Sequence, residues 1–444
     1  MTRDYLSPRF VASLGELSAY IKVFPAYSCA MIQRNRPASL DLPRRRLRLT
    51  TERIHSFLPR ANIVPRKLPA ENESVMPAST NCRIIRSQYE TMDIITTAAQ
   101  DALKKELQAI FSDGLVIVIG SGLSCAEGLP GMGAIATELT AKVPSQILDA
   151  DKAAWADIEA CLASDGLEGA LLKHPPTEGI ESVIIKVTAA LVLSKEQEAI
   201  QACVTGTRKL RIASLLPHIS AATPKIAHII TTNYDRLIEF ATESEGWGVD
   251  SMMVGRYWGK HDPELSSKLM IRDVSRGNKG AVRLIYRNHV KLFKPHGSLD
   301  WFMAGDTPMT SSMAFSSDPL IITPGVGKYK RGYGQPFDMH RERGNAAIDN
   351  ASSILCIGYG FNDDHLQTHL SPKLKGGARA LLLTHTLSPN ARTVVAQSPN
   401  CTALVSSADA KNPGSIVVRG ATETLIPSVE WWDVENFVKG VLTI

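Results

Sequence analysis

Six times along this chain an apolar run breaks off into polar residues. These are "GLVIVIGSG" at 114–122, "AHIITTNYD" at 227–235, "VKLFKPHGS" at 290–298, "DPLIITPG" at 318–325, "SILCIGYGFND" at 353–363 and "ARALLLTHT" at 378–386. Uninterrupted apolar strands suit a sheet covered on both faces, as in parallel α/β folds, where a half-exposed strand would alternate. Helical spacing resumes after several of them, as in "RLIEFA" and "DDHLQTHL". The pattern predicts a doubly wound, mainly parallel α/β sheet whose ligands bind beyond the carboxyl ends of the strands. Between the first two runs, residues 134–225 read as mostly helical, through "AWADIEACLASDGLEGALLK" and "ESVIIKVTAALVLSKEQEAIQACV". That length exceeds one crossover and predicts an inserted helical subdomain.

With 444 residues, 44% apolar and 21% charged, the chain can bury a large core in two units with a possible tail. No stretch approaches the roughly 18 uncharged apolar residues of a membrane helix, and residues 1–30 lack a basic-then-apolar leader pattern, so the expected location is cytoplasmic. The net charge of +5 is unevenly placed: residues 1–91 carry 15 Lys/Arg and 7 Asp/Glu, the remainder 34 and 37. The first 91 residues, with eight prolines and "LPRRRLRL", read as a basic, disordered extension. The body that follows has no charge-based case for nucleic acid. Met92 opens the first clean helical period and marks the expected start of the fold, and a candidate translation start. The seven cysteines include no CxxC pair, which supports neither a disulfide framework nor a thiolate zinc site.

Polar strand ends carry the chemistry. Gly120, Ser121, Gly122 and Ser124 fall between an apolar strand and a helix, where backbone N–H groups can hold phosphate. Their spacing departs from the GxGxxG fingerprint, so the turn alone is weak evidence. Asn233 and Asp235, after Thr232, could cap the next helix, as such residues often do. His296, followed by Gly297 and Ser298, could be an ordinary loop histidine. Taken together, an amide, a carboxylate and an imidazole around a glycine-rich turn make a plausible active-site crevice. His365 and His369 stand four residues apart, but no HExxH glutamate accompanies them and no metal is expected. His385 and Thr386 fall at the ligand edge of the sheet. Trp431 and Trp432 read as packing or subunit-contact residues in the last helix.

In this order, "GSGLSCAEGLP", "TTNYD", "KPHGS" and "IGYGFNDDH" resemble the sirtuin superfamily, in particular its bacterial NAD-hydrolysing defence branch. The resemblance covers about residues 95–385. It implies a Rossmann-like sheet that takes NAD as substrate, with Gly120, Ser121, Gly122 and Ser124 at the pyrophosphate. By motif position, Asn233 would hold the ribose and a water at the reacting carbon, and Asp235 would orient the nicotinamide carboxamide. His296 would bond the ribose hydroxyls and act as base, beside Thr232, Gly297 and Ser298. Gly358, Asn362 and Asp363 would line the adenosine side.

Three departures separate the chain from protein-deacetylating sirtuins. Those enzymes usually carry glutamine where Thr232 stands and an Asp-Phe-Arg segment where this chain has Gly131-Met132-Gly133, and they hold a four-cysteine zinc module. The expectation is therefore an NAD hydrolase rather than a deacylase; an NAD or ADP-ribose sensor without turnover is the main alternative. The resemblance further implies an antiphage effector kept in check by homo-oligomer assembly, a HerA-like ATPase partner or a phage-derived trigger.

Overall fold

The computed structural model describes residues 93–443 except 278–280, 314–317, 324–333 and 409–411. The basic segment 1–91 and Met92, where the sequence places the start of the fold, lie outside the described residues. Ten strands form the main sheet: β1 (Asp93–Ile94), β2 (Leu115–Ile119), β3 (Ile226–Thr231), β4 (Gly248–Asp250), β5 (His289–Phe293), β6 (Ser353–Ile357), β7 (Arg379–Thr384), β8 (Cys401–Ser406), β9 (Gly414–Arg419) and β10 (Thr422–Pro427). Their spatial order is β1-β10-β9-β8-β7-β6-β2-β3-β5-β4. All neighbours run parallel except β9, which is antiparallel to both β8 and β10.

Every residue of β2 and β6 is buried, as their unbroken apolar runs require. Leu115, Ile117 and Ile119 face one layer of helices, α1 (Thr97–Gln108) and α6 (Leu237–Ser244) with Phe437 of α9 (Val434–Phe437). Val116 and Val118 face the other, α7 (Phe337–Asp349) and α8 (Asp364–Lys375), through Ile348, Leu366 and Leu370. Each such side chain contributes about 1.5–3 kcal/mol on burial, so covering both faces is what makes this sheet stable. The result is the Rossmann-like, doubly wound α/β architecture that the apolar runs predict.

Between β2 and β3 the chain forms α2 (Ser121–Ala126), α3 (Met132–Lys142), α4 (Lys152–Lys173) and α5 (Glu178–Val204). The last three have a core of their own, with Leu139, Trp155, Ile158, Leu171, Ile180 and Ile184 packed together. Gly166, at φ +68° and ψ 177°, breaks α4 into two helical pieces in a conformation that suits glycine alone. No helix among the described residues is long and apolar enough to cross a membrane.

Strand register sets up the crevice. Ile119 aligns with Ile357 on one side and Thr231 on the other, so β6, β2 and β3 end level. From β2 the chain moves to β3 on one flank and later returns to β6 on the other, which makes this the point where strand order reverses.

Two segments differ from expectation. Residues 318–323 of "DPLIITPG" add no strand to the sheet: both edges of β5 are taken by β3 and β4, and Ile321 makes a single bridge to Gly297. Trp431 and Trp432 precede α9 instead of lying in it. Between α6 and β5 the chain forms β4 and a hairpin of Ile271–Arg276 with Val282–Tyr286, and beyond residue 390 it continues the sheet through β8, β9 and β10.

Candidate functional site

The glycine-rich turn is shaped by its neighbour. Gly120 N–H donates to Ile357 O and Gly122 N–H to Gly358 O, each at 3.0 Å. A Cβ on Gly120 would lie 2.5 Å from Gly358 O, and one on Gly122 would lie 2.6 Å from Gly358 Cα. Contact between the loops after β2 and β6 therefore accounts for these glycines. In this structure the amides of Gly120 and Gly122 donate to Ile357 and Gly358, at and just after the end of β6.

At the end of β3 the side chains form a directed chain of hydrogen bonds. Asn233 Nδ2 donates to Gly120 O at 2.9 Å and to Ser124 Oγ at 2.7 Å, and Ser124 O–H donates to Asp235 Oδ2 at 2.6 Å. A carbonyl oxygen only accepts, so the nitrogen of the Asn233 amide must face Gly120. Both amide hydrogens are then used, and Oδ1 is the atom Asn233 can offer to a ligand. Asp235 Oδ1 also accepts Leu237 N–H at 3.2 Å at the start of α6, so both of its oxygens are engaged. Burial pushes the Asp235 carboxyl up from its ordinary range, while Lys294 and the Ser124 hydroxyl pull it back. Arg236, next in the loop, pairs with the fully buried Glu196 of α5 (Nε to Oε2 3.1 Å), which ties the helical unit to this loop.

The end of β5 is fastened to the same loop by Lys294, whose side chain has no exposure. Its ammonium donates to Asp235 O at 2.6 Å, Glu239 Oε1 at 2.9 Å and Ser298 Oγ at 3.0 Å. Ser298 is thus a buried support. At Gly297, φ is +86° and a Cβ would fall 1.9 Å from Leu320 O, so the adjoining segment demands glycine there. Gly297 and Ser298, expected as ligand contacts, follow His296 in the same loop. His296 does reach it, with Nε2 at 2.6 Å from Asp363 Oδ2. Asp363 Oδ1 caps α8 by accepting Leu366 N–H at 2.9 Å. Asn362 and Asp363, expected on the adenosine side, stand with His296.

These loops enclose a cavity of about 190 Å³ lined by Gly120, Ser121, Ser124, Thr232, Asn233, Asp235, His296, Asn362 and Asp363. Its ionisable lining groups among the described residues include the carboxyls of Glu168, Asp235 and Asp363 and the His296 imidazole. Glu168, Met132, Ile135 and Val192 come from the helical unit; Glu168, Ile135 and Val192 had no signal in the sequence, because they sit on ordinary helix faces. A second cavity shares Ser121, Tyr359 and Gly360 with the first. Gly122 and Gly358 line it, together with Thr384, His385, Thr386 and Trp432. His369 is paired with Asp349 at 2.9 Å.

Residues 227–397 match the family model of a SIR2-like domain. The match takes in Asn233, Asp235, His296, Asn362 and Asp363. Among solved structures, one similar chain comes from work on the mechanism and regulation of Sir2 enzymes, at TM-score 0.30 and 11% identity, covering 66% of this chain and 90% of that one. Another is a Sir2 variant with a deacetylated p53 peptide and 3′-O-acetyl ADP-ribose, at TM-score 0.27 and 14% identity, covering 64% and 88%. No curated protein matches the chain. The chemistry of this site therefore has to be argued from its own groups.

Proposed function

We propose that this protein hydrolyses NAD at the bond between nicotinamide and ribose, releasing nicotinamide and ADP-ribose. Sirtuin-like domains use NAD as substrate, and the observation that carries the hydrolytic reading is the fixed polarity of Asn233. As the bond from C1′ to the nicotinamide nitrogen breaks, its electron pair moves to that nitrogen and positive charge develops on the ribosyl group. Asn233 Oδ1, the Asp235 carboxyl and the His296 imidazole line the cavity, and preorganised groups aimed at developing charge lower the barrier. Asn233 Oδ1 accepts from the attacking water and aims its oxygen at C1′. His296 bonds the ribose hydroxyls and takes the proton the water loses. Asp235, whose oxygens meet Ser124 and Leu237, acts on Asn233 through Ser124.

The chain's lack of a paired CxxC zinc module supports water over an acylated peptide as the acceptor. Unchecked NAD hydrolysis would drain its host, so the reading extends to an antiphage effector restrained by oligomer assembly, a HerA-like ATPase or a phage-derived trigger; these rest on the family resemblance. The test is to incubate the purified full chain with NAD and quantify nicotinamide and ADP-ribose. Asn233→Ala should lower kcat by about 10²- to 10³-fold while NAD still binds. NAD binding by calorimetry without nicotinamide release in any tested condition would make the site a sensor. Release strictly dependent on an acylated peptide would make it a deacylase.

A further inference from the structure

One row of the main sheet breaks its apolar pattern. Val116, His228, Lys291 and Asp250 align across β2, β3, β5 and β4, so their side chains share a face, the one covered by α7. The next row on that face, Val118, Ile230 and Phe293, is apolar and buried. Helix α7 rests on this second row: a Cβ on Gly344 would lie 3.5 Å from Ile230 and from Phe293. Beyond Gly344 the helix side offers small residues, Ala346, Ala347 and Ala351, and the space above the polar row is a cavity of about 330 Å³. It shares no lining residue with the cavity that holds Asn233 and His296.

Two cations line this space from opposite walls, Lys291 on the sheet and Arg343 on α7, and both are half-buried. Among the described residues neither is held by an ion pair or a hydrogen bond. The carboxylate of the row is already engaged: Asp250 Oδ1 accepts Ser266 O–H at 2.6 Å and Oδ2 accepts Ser267 O–H at 2.8 Å. Burial, and then Lys291, bring the His228 imidazole down to about 4, so near neutral pH it is an uncharged hydrogen-bonding group. Two like charges facing one partly dry space repel each other, and an anion between them turns that cost into attraction. We propose that this cavity binds a small molecule bearing a phosphate monoester, with Lys291 and Arg343 on the phosphate oxygens and His228 as a further hydrogen-bonding group. A monoester carries about −1.5 to −2 charge at pH 7, which two cations match. A guanidinium engages two of its oxygens at once. Met252 and Phe293 supply an apolar wall for the organic part. The site is independent of the chemistry in the other cavity.

The test is calorimetry on the full chain with ribose 5-phosphate, inorganic phosphate and ribose as probes. Ribose 5-phosphate should bind saturably and ribose should not. Binding of inorganic phosphate as well would make the phosphate group sufficient, and its failure would show that the organic part is also read. Lys291→Met and Arg343→Gln should each weaken ribose 5-phosphate by about 10- to 100-fold, the loss of one charge-assisted contact, at unchanged melting temperature. Glutamine is a good helix former, so the α7 variant keeps the test open should Lys291→Met fail to fold. Asn233→Ala, in the other cavity, should bind the probe as the wild type does. Absence of saturable ribose 5-phosphate binding, equal binding of ribose, or binding that survives the charge variants would overturn the proposal. Binding lost in Asn233→Ala would overturn it too, by placing the phosphate in the other cavity.

Discussion

Lys294 carries more of the site than its place in "KPHGS" suggests. Nothing in a sequence distinguishes a buried lysine from a surface one, and His296 attracts the attention in that motif. In the fold the ammonium holds the Asp235 carbonyl, Glu239 and Ser298 together, so it fixes the β3 and β5 loops relative to each other. Burial raises the carboxyls of both Asp235 and Glu239, and Lys294 is the first influence that opposes it in each. Lys294→Met should therefore cost about 3–5 kcal/mol, as expected when one partner of a buried pair is removed. An acid raised in the folded state contributes stability below its unfolded pKa and loses it as pH rises through the folded value. Without Lys294 both acids move further up, so the variant's deficit in urea unfolding should be larger at pH 8 than at pH 5. An equal deficit at both values would show that these carboxyls are not the cause, and adding Glu239→Gln should recover part of the loss at pH 8.

Elements meet closely where the turn after β2 touches the turn after β6. Gly122→Ala would set a Cβ 2.6 Å from the Gly358 backbone, so one loop must move. A cost of about 1–3 kcal/mol is expected from such overpacking, read as a lower melting temperature, with a loss of NAD turnover beyond what destabilisation explains because Gly120 O moves away from Asn233. Wild-type melting and turnover would mean the loops have slack that the contact does not reveal. How far the sequence could reach is clear at this scale. Unbroken apolar runs disclosed β2, β3, β6 and β7, since burial on both faces leaves a direct imprint on composition. "DPLIITPG" misled because an apolar run says nothing about whether a sheet has a free edge. Asn233, His296 and Asp363 were legible as polar strand ends. Their partners were not: Asp363 meets His296 and Ser124 meets Asp235 only through strand order, which no local pattern encodes. The same limit hid why Gly122 and Gly297 are glycines.

Taken as a whole, the molecule places two cavities on either side of one short ridge. Ser121, Tyr359 and Gly360 border both, so a ligand long enough to cross them would touch each cavity with a different end. The first holds Asn233 and His296; the second, of about 590 Å³, is lined partly by His385, Thr386 and Trp432, with the His385 and Trp432 rings 5.0 Å apart. Trp432 comes from the end of the chain, far in sequence from the glycine-rich turn, so the folding of β8 to β10 and α9 completes the second cavity. A dinucleotide fits this arrangement better than a mononucleotide, because binding energy from a remote part of a substrate can be used to align the reacting end. Nicotinamide mononucleotide, which has the scissile bond but no adenosine, should accordingly be cleaved with kcat/KM lower by on the order of 10²-fold, or about 2.7 kcal/mol of lost transition-state stabilisation. Thr386→Trp, which fills the second cavity, should raise KM for NAD and leave the mononucleotide unaffected. If both substrates respond to Thr386→Trp alike, the second cavity communicates with the reacting end through the fold instead of through the substrate, and the adenosine must bind elsewhere.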